Sequence, residues 1–499
     1  MSIHGNWERR RVTRREALGI GGGMAALAMF GSAGALAGRG GGNSSGPYGP
    51  LVEDPGGLID LPRGFHYRII SPEGSTLSNG APVPGDHDGM AAFSGPGNTA
   101  VLVRNQELGF FDEAQGTVPG SNPYDPAERG GTIGVVVGRD RREVRSFVTS
   151  SGTRNNCAGG ATPWGTWLTC EEDRNTNHGF VFEVMWDDPE NDLSKTPIRD
   201  MGFFSHEAVD VDPDTGIVYL TEDDFRGQIA PDPANDTRSS FLYRYLPNDR
   251  RRRPGALQAG GTLQAAKLDE APADADFINP GQRFGLRWIT VRPETAAEDA
   301  LALGATRFNR LEGCHFSGGV FWFDDTAGGE ERLGQLFRLI PGSEVVNGSD
   351  TIELFFEGTD VNQMQSPDNL IVTPWGDLWF VEDGDDPNRV MGVTPDADVY
   401  TFASNSLDTE FAGPTFSPAG QTFFVNTYHP DDETIPAMTF AIWGPFARRS
   451  RAQQRRMATA APPAGFGPRV SGELAEAAAR HGMTKLEAAA YDRLGVPVA

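Results

Sequence analysis

Short apolar runs recur along the chain, each placed after a glycine-containing turn and most of them closed by acidic residues. Runs of this kind, too short for helices and bounded by turn residues, predict buried β-strands. The stretch Asn155 to Glu172, NNCAGGATPWGTWLTCEE, shows the unit in full. A Gly-Gly step follows Cys157, a Pro-Trp-Gly turn reverses the chain at Pro163 to Gly165, and the strand Thr166 to Thr169 delivers Cys170, Glu171 and Glu172 at its tip. The same turn, strand and terminal acids return in TPWGDLWFVEDG at Thr373 to Gly384. Weaker copies lie at Phe93 to Glu107, Asp212 to Asp224, His315 to Asp325 and Phe416 to Thr427, making six copies. Further strand-like runs such as Gly179 to Val184, Ser240 to Tyr245 and Gln335 to Ile340 follow these hairpins. Repeated strand units at uneven spacing predict an all-β chain, a six-bladed β-propeller over 48–445. The gap between the third and fourth copies is nearly double, and is read as an insertion over about 248–305 with a helix at Pro293 to Leu303. Beyond it, 446–499 changes character: a basic patch at Arg448 to Arg456, a linker at Ala460 to Pro468, and helical composition over Gly472 to Leu494 predict a helical C-terminal tail.

The N-terminus carries an address. TRREAL at Thr13 to Leu18 sets two arginines before the uncharged stretch Ala17 to Gly38, which ends in Ala35-Leu36-Ala37-Gly38. This resembles a twin-arginine export signal with an A-x-A cleavage site over 1–38, followed by a linker over 39–47. It predicts engagement of the twin-arginine machinery, a periplasmic, cell-surface or extracellular destination, and no membrane span once the signal is removed. That route carries folded proteins, which points to a metal inserted before export.

Composition narrows the partners. With 63 Gly and 36 Pro in 499 residues, turns are frequent. A formal net charge of −25 excludes nucleic acid, which is bound by basic grooves. It does not exclude phosphate chemistry, because a bound cation inverts the local sign. The three cysteines, Cys157, Cys170 and Cys314, leave at least one thiol unpaired; Cys170 and Cys314 read as buried hydrophobes.

Aligning the six copies on their turn glycine brings Asp88, Cys157, Glu207, Glu312, Asp368 and Ala412 or Gly413 to one common position, about seven to nine residues before the turn. In a propeller these positions face one another around the axis. A second set about six residues after the turn, Glu171, Glu222, Asp325, Glu382 and Asn426, is expected at the same end as an outer shell of oxygen donors. Carboxylates suit Ca²⁺ or Fe³⁺ and a thiolate suits a transition metal, so the inventory fits a mixed-metal cluster better than a lone zinc. Ordinary strand-tip acids and a packed thiol are the plain alternative. Glu207 and Glu312 resist it, since their small or apolar neighbours make an unpaired carboxylate costly. Arg310, two residues before Glu312, is expected to aim its guanidinium at the same cavity, with Asn156 as a further donor.

The segments NNCAGGATPWGTWLTCEE, FFSHEAVDVDPDTGIVYLTED, RLEG and QSPDNLIVTPWGDLWFVED resemble signature segments of the PhoX family of secreted alkaline phosphatases, in order from about Gly64 to Pro445. The resemblance implies phosphomonoester hydrolysis at a buried cluster of Fe³⁺ and Ca²⁺. It implies Cys157 as an iron ligand, Glu207 and Glu312 as bridging or iron-ligating carboxylates, Glu171 and Asp368 as further metal ligands, and Arg310 with Asn156 as phosphate-binding groups; Glu382 belongs to the same expected metal set. One departure stands out: Asn105-Gln106-Glu107 replaces an expected Asn-His-Glu. A calcium-dependent lactonase or phosphodiesterase on a similar propeller, and a metal-stabilised scaffold without catalysis, are the alternatives.

Overall fold

The computed structural model describes residues 46–446 apart from 110–113, 176, 225–238, 343–348, 386, 406, 408 and 429–434. The expected export signal, nearly all of the linker and almost all of the C-terminal tail lie outside the described residues.

Apolar runs and turns produce β-structure throughout. A two-stranded pair, β1 (Leu51–Val52) with β2 (Leu61–Pro62), precedes β3 (His66–Ile70). β4 (His87–Ser94), β5 (Ala100–Gln106), β6 (Gly130–Val137) and β7 (Glu143–Thr153) form one four-stranded sheet, and β8 (Asn156–Ala161), β9 (Trp167–Glu171) and β10 (Val181–Val184) a three-stranded one. Next come β11 (His206–Val211), β12 (Val218–Glu222), β13 (Leu242–Pro247), β14 (Gly261–Leu268) and β15 (Arg283–Thr290). The helix α1 (Ala296–Leu303) follows, ended by Gly304 in the left-handed conformation at φ 70°. β16 (Leu311–Ser317), β17 (Val320–Asp325), β18 (Gln335–Ile340) and β19 (Thr351–Glu357) form a second run of hairpins, and β15 joins β14 to β19 so that these nine strands share one sheet. β20 (Pro367–Val372), β21 (Leu378–Glu382), β22 (Arg389–Val393) and β23 (Val399–Ser404) make another four-stranded sheet. The last contains β24 (Phe411–Phe416), β25 (Phe423–Thr427) and β26 (Met438–Trp443), with β3 from the start of the chain as its fourth strand.

The architecture is all-β and propeller-like, with few helices. The expected division into six four-stranded blades is corrected: among the described residues three sheets are four-stranded, one has nine strands, one has three and one has two. The cause lies in 248–305, which holds the expected helix but also supplies β14 and the bridging strand β15.

The first strands of the hairpins surround the axis. β4 packs on β8, β8 on β11, β11 on β16, β16 on β20, β20 on β24 and β24 on β4, closing a ring. Each carries the same irregularity near its start, a register shift between His87 and Met90, Asn156 and Gly159, His206 and Val209, Leu311 and Cys314, Pro367 and Leu370, and Ala412 and Thr415. A bulge bends its strand and re-aims the side chain it contains. The residues so re-aimed are Asp88, Cys157, Glu207, Glu312 and Asp368; in the sixth strand Ala412 keeps its register with Asn426 and the shift falls at Gly413 and Pro414. The residue after each is small in four of these five strands, since neighbouring inner strands touch backbone to backbone: a Cβ on Gly313 would lie 2.4 Å from the Asp368 carbonyl oxygen, and one on Gly89 2.6 Å from Ala158 Cα. Apolar clusters fill the spaces between sheets. Trp379, fully buried, packs 4.3 Å from Phe402 and edge-on to Phe423 at 5.1 Å between ring centres; burying such a side chain stabilises by about 1.5–3 kcal/mol.

Candidate metal centre

The bulged residues converge at one end of the axis. The Cys157 sulfur and carboxylate oxygens of Glu172 and Glu207 lie within 4.8 Å of one another, and so do oxygens of Glu207, Glu312 and Asp368. All five residues are at most 1 % exposed. Glu207 belongs to both triads. Burial raises the Cys157 thiol well above its ordinary range, and the charges of Glu207, Glu172, Glu107 and Asp88 push the same way. A thiol among this many buried carboxylates is a donor set that fits a cation: positive charge relieves the mutual repulsion and favours the thiolate. Behind this centre the axis holds a cavity of about 290 Å³, lined by backbone and small side chains such as Gly89, Ala158, Gly160, Gly313 and Gly413.

The second set of acids is displaced by one residue from its expected place. Cα partners across the hairpins pair Asn156 with Glu171, His206 with Glu222, Leu311 with Asp325 and Pro367 with Glu382. These strand-tip acids bind their own sheet. Glu171 accepts hydrogen bonds from His178 Nδ1 at 2.8 Å and from the backbone N–H groups of Arg154, Gly179 and Phe180. Burial pulls the His178 imidazole down, and its hydrogen bond to Glu171 and that group's charge more than offset this, leaving it above its ordinary value. Glu222 accepts from Phe241 N–H and the Tyr243 hydroxyl, and Asp325 from Asn309 N–H. Glu382 is held by Arg389 at 2.6 and 2.7 Å and by Gln365 N–H. Glu171 and Glu382, expected among the metal ligands, are therefore occupied as sheet clamps.

The residue after each strand tip turns the other way. Its N–H bonds the carbonyl just ahead of the inner strand: Glu107 to Asp86, Glu172 to Asn155, Asp223 to Ser205, Asp383 to Ser366. Successive side chains in extended chain face opposite sides, so Glu172 reaches the centre where Glu171 does not. Sequence reasoning missed Glu172 and Asp223 as site residues. The signal was present as doubled acids at the strand ends, CEED, TEDD and VEDG, one acid for each face.

Arg310 is buried and donates to both oxygens of Asp223 at 2.8–3.2 Å and to Glu312 Oε1 at 2.5 Å. Glu312, its partner, belongs to the second triad, and the guanidinium is fastened between two carboxylates from a backbone at φ 70°. Asn156 is placed otherwise: its amide accepts from Thr153 at the end of β7 and donates to Thr169 of β9 at 2.9 Å. Gln106 donates to the carbonyls of Pro84 and Gly85 and accepts from Arg104. It occupies a clamp position, so the departure from the expected histidine touches the loop ahead of Asp88. Cys170 and Cys314 sit in apolar clusters, and all three cysteines are free.

A closed ring of strands that gathers a thiol and carboxylates on its axis defines a β-propeller protein with a buried metal-type centre. The family model described as alkaline phosphatase PhoX matches residues 46–431, and the chain belongs to this family of phosphatases. The chain is similar in structure to Pseudomonas fluorescens PhoX in complex with vanadate, a transition-state analogue, at TM-score 0.61 and 20 % identity over 78 % of this chain and 96 % of that one. A gluconolactonase, XC5397 from Xanthomonas campestris, is more distant, at TM-score 0.42 and 14 % identity over 80 % and 98 % of the two chains. No curated protein matches the chain in sequence. Enzymes of this family depend on metal. No helix of the described residues is long and apolar enough to cross a membrane.

Proposed function

We propose that this phosphatase hydrolyses phosphate monoesters at a cluster of Fe³⁺ and Ca²⁺ on the propeller axis, and that it does so outside the cytoplasm after twin-arginine export. The observation that carries the reading is the pair of buried triads sharing Glu207. The triad with Cys157 offers a thiolate and suits iron; the triad of Glu207, Glu312 and Asp368 offers only oxygens and suits calcium. Glu207, common to both triads, would serve both positions, and Glu172 would take the ligand role first expected of Glu171.

Cations held there would neutralise the phosphate oxygens and activate the attacking water, a contribution of several kcal/mol. The chain's own residues position and exclude. Arg310 keeps Glu312 and Asp223 in fixed orientation and sets a permanent positive charge beside the receiving site. Asn156 ties the start of β8 to Thr153 and Thr169, which fixes the bulge that presents Cys157. Since phosphoryl transfer depends mainly on placement and charge, no serine–histidine pair is required. The small ring behind the acids brings the inner strands into backbone contact and narrows the axis.

Cys157→Ala and Glu312→Ala are expected to abolish p-nitrophenyl phosphate hydrolysis at alkaline pH while far-ultraviolet circular dichroism stays native, with iron and calcium measured by elemental analysis. Full activity in both variants overturns the reading. Calcium alone, with no phosphate released from the parent protein, favours the lactonase or scaffold alternative.

A further inference from the structure

A second group of acids lies off the axis, where the segment between β14 and β15 meets the sheet of β16 to β19. Asp325, Gln335 and Glu357 are direct cross-strand partners on adjacent strands. Directly opposed residues share a face of the sheet, so their side chains stand together. Gln335 is fully buried. Its Nε2 donates to Glu357 Oε2 at 2.8 Å, while its Oε1 has no hydrogen-bond partner among the described residues. A buried amide oxygen in that state is costly unless a ligand meets it.

The turn after β17 closes over this face. A Cβ on Gly328 would lie 2.7 Å from the Asp325 carboxyl carbon, and one on Gly329, at φ 89°, 3.0 Å from that of Glu357. The Gly329 N–H reaches Asp276 Oδ1 at 3.3 Å, which brings in the short helical turn Ala275–Phe277 from the other side. Asp274 is accounted for by Arg307 and by capping that turn.

We propose that Asp276, Asp325 and the side-chain oxygen of Gln335 form a cation site beside the central cluster, that Ca²⁺ fills it, and that it pins the segment between β14 and β15 to the sheet. The donors are oxygens of mixed type, two carboxylates and an amide, the kind of irregular set calcium accepts and magnesium does not. Electrostatics agrees with the geometry. Burial raises Asp276 to about 7, with the charges of Asp274 and Glu357 adding to it and the Gly329 N–H and the charge of Arg332 opposing it, and burial followed by the charge of Asp276 pushes Asp325 well above its usual range. Asn309 N–H contacts both oxygens of Asp325 and leaves their further lone pairs for a cation.

The test counts calcium. Holoprotein and the variant Asp276→Asn are dialysed against radioactive Ca²⁺, with Asp274→Asn as a matched loss of charge. The expected result is one Ca²⁺ per chain fewer in Asp276→Asn than in the parent, an unchanged count in Asp274→Asn, and p-nitrophenyl phosphate turnover within two-fold of the parent in both. If Asp276→Asn does not fold, Gln335→Met removes the oxygen at similar volume and is read the same way. Equal counts in the parent and the site variant overturn the proposal, as does an equal loss in Asp274→Asn. The count does not depend on phosphate hydrolysis, so failure here and failure of the central reading are seen separately.

Discussion

Two adjacent glutamates, Glu171 and Glu172, are chemically identical and structurally opposite. Glu171 receives His178 and three backbone N–H groups, whereas Glu172 joins Cys157 and Glu207. Exchanging each for glutamine separates stability from chemistry. Glu171→Gln is expected to lower stability by about 1–3 kcal/mol, the scale of disturbing buried hydrogen bonds, with metal content retained. Glu172→Gln is expected to keep the melting temperature within a few degrees while phosphatase turnover falls at least about 100-fold and bound metal drops. Denaturant unfolding and elemental analysis on both variants decide it; the reverse pattern would move the ligand role back to Glu171. The inner acids Asp88, Glu207, Glu312 and Asp368 were legible because a turn glycine phases every inner strand. The outer acids were not, because a strand has period two and a one-residue error reverses the face.

At the scale of the element, the repeated bulge does the placing. Its existence was illegible, since no residue type marks it; its imprint was the small residue after four of the five re-aimed side chains, Gly89, Ala158, Ala208 and Gly313. Further along the strands, Asp210 of β11 ties that strand to β16 by accepting from Val211 N–H at 2.7 Å and Phe316 N–H at 2.6 Å. Burial, with a smaller push from Asp212, raises its carboxyl to about 7. In the unfolded chain the same group ionises near pH 3.9. Between those values the folded state keeps a proton that the unfolded state has lost, so the contribution is fully present below the unfolded value and is lost as pH rises through about 7. The slope inside that window approaches about 1.4 kcal/mol per pH unit. Asp210→Asn is therefore expected to flatten the fall in stability between pH 5 and 8 relative to the parent, measured by urea unfolding at each pH. Parallel curves for the two proteins would refute it.

For the whole molecule, closure depends on the two ends of the propeller meeting. β3 pairs with β26 over five residues, Ile70 opposite Thr439 through His66 opposite Trp443. Buried Arg104 of β5 fastens the joint by donating to the Ser71 carbonyl and to Thr439 Oγ1 at 2.7 Å. A chain beginning at residue 72 is expected to melt at least about 5 °C lower and to self-associate, because β26 becomes an unprotected edge. Thermal unfolding and size-exclusion chromatography check this, and an unaltered monomer with the parent's melting temperature would contradict it. The all-β class and the hairpin order were visible in the repeats. The merging of nine strands through β15 was not, because it depends on a long-range edge pairing, Arg283 with Glu353 to Gly285 with Thr351, that leaves no local pattern. The late position of β26 also orders events during synthesis. Every acid of the centre, through Asp368, leaves the ribosome before the strand that clasps β3, so a nascent chain holds a full set of donors on an unclosed ring, and a product cut short ahead of Met438 carries the donors without the enclosure.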